Sequence, residues 1–143
     1  MKMKENVLVA VVLLLACVLS RPVLADGPKV QKVTLDDAKQ YSPPGHFKMT
    51  AAGLHNEAVG RSKAFGIGIS VFEPGGGAES NSEGPERVYF VLEGQLTITT
   101  PDGDIVLNQF ESIYRPAGAE CGIINKSDKL VKMLVVGPPR PKS

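Results

Sequence analysis

The chain has 143 residues, 43% of them apolar and 22% charged, with no tryptophan and a formal net charge of +1 at pH 7. This is a one-domain length, sufficient for a single core, and nothing in a charge this near zero suggests nucleic acid or an anionic membrane as a partner. Its 15 glycines and 11 prolines favour turns and short strands over long helices.

The first element in chain order is a targeting segment. Lys2 and Lys4 precede an apolar run over 7–19, and Val23-Leu24-Ala25 follows. A charged start, an apolar middle and a small residue at the end predict a signal peptide over 1–25, cleaved after Ala25. Two alternatives stand beside it. The run could be an uncleaved anchor, although it is shorter than the ~20 apolar residues a spanning helix needs. Leu14-Leu15-Ala16-Cys17 could be a lipoprotein site, although Val18 and Leu19 continue the apolar run past the cysteine. Cleavage takes away Lys2, Lys4, Arg21 and Glu5, which turns +1 into about −1. It also takes away Cys17, so Cys121 has no internal partner even in an oxidising compartment. The expected destination is the periplasm or the exterior, with no membrane partner after cleavage.

Residues 26–62 are expected to form an N-terminal arm and first strands, 63–137 the core, and 138–143 a tail. Within the arm, residues 35–39 suit one helical turn with Asp36 near its start, and Pro43-Pro44-Gly45 forces a bend. Beyond it, strands are expected over 47–51, 64–72, 87–92, 95–100, 104–107, 112–115, 121–124 and 130–136. Leu96, Ile98 and Thr100 alternate with polar or small neighbours, the two-residue period of a half-buried strand. Glu93-Gly94 and Pro101-Asp102-Gly103 are hairpin turns. Regular short strands over about ninety residues predict an all-β sandwich or barrel rather than βαβ units.

Two segments carry more information. The first is Pro74-Gly75-Gly76-Gly77, a variable stretch, then Glu86-Arg87-Val88-Tyr89-Phe90-Val91-Leu92-Glu93-Gly94. The second is Pro116-Ala117-Gly118-Ala119-Glu120-Cys121-Gly122-Ile123-Ile124-Asn125. Together they resemble the two motifs of the cupin superfamily over about residues 64–136. The resemblance implies a double-stranded β-helix, or jelly-roll barrel, preceded here by an arm that could cross to a partner subunit in a homodimer. In that family two histidines, a glutamate and a third histidine hold a metal on inward strand positions. By this resemblance the histidine pair falls within Glu79-Ser80-Asn81-Ser82-Glu83, at Ser80 and Ser82. The glutamate position falls on Arg87 and the third histidine on Cys121. Glu86 is adjacent to Arg87, but neighbouring strand residues face opposite ways. An arginine, two serines and a cysteine cannot reproduce such a site, so no metal or other cofactor is expected. An improvised site using Glu79, Glu83 or Glu86 with Cys121, or His46 or His55 at the barrel mouth, stays open.

The candidate ligand-binding residues are therefore Arg87, Tyr89, Cys121, Ser80, Ser82 and His55, with a small organic molecule as the expected partner. Arg87 could clamp a carboxylate or enolate, or instead form an ion pair with Glu86, Glu111 or Glu120. Tyr89 shares its face and could donate its hydroxyl, or simply pack. Cys121 could be a nucleophile or a buried inert thiol. His55 and His46 could act as bases or lie exposed. Of Tyr114 and Arg115, Tyr114 is the expected core residue. Three functions fit: an exported binding protein without catalysis; a metal-independent or atypically liganded isomerase, cyclase, decarboxylase or lyase; and an accessory subunit. No catalytic residue can be assigned from the sequence.

Overall fold

A computed structural model describes residues 27–139. The expected signal peptide over 1–25 and most of the expected tail after 137 lie outside the described residues. The chain divides into two compact units, 1–31 and 32–143, and every strand belongs to the second. Among the described residues there is no helix, and none is long and apolar enough to cross a membrane. Residues 35–38 form turns only, and Thr34 rather than Asp36 organises them. The Thr34 backbone N–H donates to Asp37 Oδ2 (3.2 Å) and the Asp37 N–H donates back to Thr34 Oγ1 (3.2 Å), a reciprocal arrangement of capping-box type.

The nine strands among the described residues are β1 (Gln40–Tyr41), β2 (His46–His55), β3 (Gly66–Asn81), β4 (Arg87–Glu93), β5 (Leu96–Thr100), β6 (Gly103–Leu107), β7 (Ser112–Arg115), β8 (Cys121–Ile124) and β9 (Val131–Gly137). All pair antiparallel, in the order β6-β5-β8-β3-β9-β4-β7, with β2 joined to β3 and β1 to β2. The result is a nearly closed jelly-roll barrel, the architecture the resemblance implies. Its interior is packed by Met49, Phe72, Tyr89, Val91, Leu96, Ile98, Leu107, Ile123, Val131 and Met133. These come from alternate positions of seven different strands, the pattern a two-residue period dictates when one face is buried.

The strand β3 differs most from the expected elements. Glycine and proline at 74–77 predict a turn that ends a strand at 72, yet β3 runs through them for 16 residues. Its first half pairs with β9, from Gly66 opposite Gly137 to Phe72 opposite Val131. Its second half pairs with β8, with Gly77 opposite Ile124 and Ala78 opposite Ile123. One strand thus serves both sheets, and residues 73–76 carry it across while Lys48 of β2 fills the gap in register. Gly75 takes a left-handed φ of +71° there. Gly76 and Gly77 are needed for a different reason: a Cβ on Gly76 would lie 2.1 Å from the Lys48 carbonyl oxygen, and one on Gly77 2.1 Å from that of Ile123.

Asn125 locks this crossing. Its side chain is fully buried. Its Nδ2 donates to the carbonyls of Phe72 (3.2 Å), Glu73 (3.0 Å) and Lys129 (2.7 Å), and its Oδ1 accepts from the Ser127 N–H and hydroxyl. The backbone joins in, with Gly75 N–H donating to Asn125 O (2.9 Å) and Asn125 N–H to Gly76 O (2.8 Å). Buried carbonyls that lose their donor keep their desolvation cost. Asn125→Ala should therefore destabilise the fold by about 3 kcal/mol. Asn125→Asp, which sets a carboxylate against carbonyl oxygens, should cost at least as much at neutral pH. Urea unfolding midpoints of the two variants check this.

Candidate functional site

A cavity of about 190 Å³ opens inside the barrel, lined by residues of β1–β4 and β7–β9. Its floor is apolar (Ala51, Phe72, Ala78, Ile123, Met133 and Val135), and its polar groups include Arg87, Tyr89, Arg115, Cys121, Asn81, Glu79, Glu83 and His46. Alternation along β4 sends Arg87, Tyr89 and Val91 inward and Val88 outward. Glu86 turns away as well, and its carboxylate accepts a hydrogen bond from the Tyr114 hydroxyl (2.7 Å) on the outside.

Of the expected residues, the structure brings Arg87, Tyr89 and Cys121 to this cavity, whereas Ser80, Ser82 and His55 do not line it. The serines are displaced by one irregularity. Ala78 pairs with Ile123 and Asn81 with Cys121, so three steps along β3 match two along β8. The extra residue is a β-bulge, and beyond it inward and outward positions exchange. Asn81 and Glu83 reach the cavity in place of Ser80 and Ser82, and the Ser80 hydroxyl donates to Glu120 (3.3 Å) outside it. His55 lies at the far end of β2, opposite Ile67. The histidine on the cavity is His46, whose Nδ1 lies 2.9 Å from the Pro44 carbonyl oxygen.

Tyr114 and Arg115 also exchange the expected roles. Tyr114 is 57% exposed and Arg115 only 7%. Arg115 stands directly opposite Arg87 across the β4–β7 ladder, so both share the inner face. A buried guanidinium must be hydrogen-bonded. Arg115 Nε donates to Ala119 O (3.0 Å), and Nη2 donates to Asn81 O (3.1 Å) and Glu83 O (2.8 Å). It thereby ties the β3–β4 loop to the β7–β8 loop at the barrel rim. A signal for it was present: Ile113 is the apolar residue of β7, and Arg115 lies two residues on. Hydropathy at the single position favoured the tyrosine instead.

Tyr89 sits among these groups, 8% exposed. Burial is the main cause that pushes its phenol above the ordinary value of 10.0, with Cys121 adding to the rise; the charges of Arg87 and Arg115 and a hydrogen bond from Arg115 pull the other way. It is a neutral donor at physiological pH.

These residues do not fit the histidine-ligated metal of the resemblance. Asn81, Arg87 and Cys121 share the cavity wall, and a guanidinium is no ligand. Among the described residues no group of three His, Cys, Asp or Glu side chains could hold an ion.

A family model described as a cupin domain matches residues 68–137. A beta-D-galactosidase of Mycobacterium tuberculosis is 34% identical over 98 residues, covering 68% of this chain and 84% of that protein. Among solved structures, a polyketide cyclase from Streptomyces resistomycificus superposes with a TM-score of 0.70 at 23% identity, covering 78% of this chain and 81% of its own. A predicted oxalate decarboxylase from Thermotoga maritima gives 0.65 at 16%, covering 77% and 100%. At these identities the structural matches speak to the fold.

The raised Tyr89 phenol has a consequence for stability. The native state holds this proton more tightly than the unfolded chain, whose tyrosine titrates near 10.0. Native stability therefore falls as pH rises past that value. Tyr89→Phe should lose less stability between neutral pH and pH 10–11 than the parent, as chemical unfolding at both ends of that range would show. With its two motif segments, its nearly closed antiparallel barrel and a matched relative of comparable length, this chain belongs to the cupin superfamily.

Proposed function

We propose that this chain is an exported cupin that holds a small organic molecule in its barrel without the histidine-ligated metal of the family. The observation that carries the reading is the cavity itself. It combines an apolar floor with a few convergent polar groups, Arg87, Tyr89 and Asn81, as small-molecule sites do. Its volume of about 190 Å³ is below the ~300–1,000 Å³ typical of drug-sized ligands, which favours a compact occupant. Export rests on the charged and apolar start of the chain and its small-residue site at Ala25.

A second reading is hydrolysis of a glycosidic bond, favoured by two observations. The relative from Mycobacterium tuberculosis is a beta-D-galactosidase, and two carboxylates, Glu79 and Glu83, line the cavity. Glycoside hydrolysis ordinarily uses such a pair, one as acid and one as base or nucleophile.

For the binding reading, the mature protein secreted by an expressing cell should begin at Asp26, and native mass spectrometry should find a small organic adduct with substoichiometric transition metal. Stoichiometric metal would overturn it. For the hydrolytic reading, release of nitrophenol from a nitrophenyl β-D-galactoside should drop at least about a hundredfold in Glu79→Gln or Glu83→Gln. Undiminished turnover in both would remove these carboxylates from the chemistry.

A further inference from the structure

We propose that the barrel cavity is an anion site whose ligand presents a carboxylate to Arg87, with Tyr89 donating beside it and Arg115 holding the rim. This names the ligand class for the binding reading above and rests on it.

The case begins with charge. A partly or fully buried guanidinium needs a compensating group. Arg87 is half-buried on the inner face of β4, and three carboxylates near it in sequence or topology, Glu86, Glu120 and Glu111, are engaged elsewhere. Glu86 accepts from Tyr114 on the outer face. Glu120 accepts from Ser80. Glu111 accepts from the backbone and side chain of Asn108. Among the described residues neither Arg87 nor Arg115 forms an ion pair within 4.0 Å, and the Arg87 guanidinium has no hydrogen-bond partner.

Arg115 is satisfied differently. Its donors go to backbone carbonyls of residues 81, 83 and 119. Those bonds hold the guanidinium in place without cancelling its charge. Two positive groups, opposite one another on adjacent strands, therefore face one small cavity that Tyr89 also lines, and both charges act on its phenol. Glu79 and Glu83 also line the cavity, but both are exposed, so solvent screens them more than it screens the inner wall. An arginine fork and a neutral phenol are donors matched to the two oxygens of a carboxylate. The apolar floor receives the rest of a compact ligand.

Arg87 is the contact residue here, and Arg115 is a positioning residue. Titration calorimetry on the mature protein would use lactate and D-galacturonate, with lactamide and D-galactose as their neutral counterparts, and malonate as a dicarboxylate. D-galacturonate and D-galactose differ only by the carboxylate in place of the terminal hydroxymethyl group. At least one carboxylate should bind, its neutral counterpart at least about tenfold more weakly, and Arg87→Met should cost the carboxylate about tenfold or more. Tyr89→Phe should cost less than Arg87→Met. Arg115→Lys keeps the charge but loses the fork, so it should weaken the carboxylate and also increase amide hydrogen exchange in residues 81–84 and 117–120. Arg115→Ala could fail to fold; Arg87→Met then carries the test alone. Equal binding of D-galactose and D-galacturonate, or carboxylate binding indifferent to Arg87→Met, overturns the anion site and leaves the binding reading standing. No binding by any of the five compounds overturns the site and counts against the binding reading as well.

Discussion

The structure depends on one strand being allowed to belong to two sheets. β3 leaves β9 and joins β8 across residues 73–76, and it can do so because backbones approach there more closely than any side chain permits. Gly76 and Gly77 provide that approach, and the buried amide of Asn125 donates to the Phe72 and Glu73 carbonyls where the crossing begins. Without this junction the two sheets would not enclose a cavity, and Arg87, Tyr89 and Cys121 would not share an interior with Asn81.

A second, smaller irregularity decides the chemistry. The bulge in β3 before Asn81 inverts which residues face inward. It moves two serines out and brings an asparagine and a glutamate to the cavity. The same rim is tied by Arg115, which crosslinks two loops through backbone carbonyls. Fold and site are thus coupled: the residue that organises the mouth also sets the field inside it.

Membership of the cupin superfamily constrains the barrel but not the reaction. The structural relatives include a cyclase and a predicted decarboxylase, and the sequence relative is a galactosidase. A shared fold hosts unlike activities because function resides in the inward side chains. By the motif resemblance Arg87 falls where the family's pattern has a metal-ligating glutamate, and a guanidinium has no electron pair to give a metal but can donate to an anion.

By itself the sequence determined the all-β class, most strand boundaries to within a residue or two, the two tight turns at Gly94 and Gly103, and the inward face of β4. These follow from local rules: period-two alternation, turn chemistry, and glycine where φ is positive, as it is at +85° and +124°. Only the tertiary structure decided what happens at 73–83. Glycines that read as a turn are there a continuous strand, because a close backbone crossing and a turn demand the same residue. The bulge cannot be counted from one strand alone, since it exists only as a mismatch with β8. Tyr114 and Arg115 were likewise placed the wrong way round by hydropathy: a buried arginine is admitted only by carbonyls from two loops that are distant in sequence and adjacent in space.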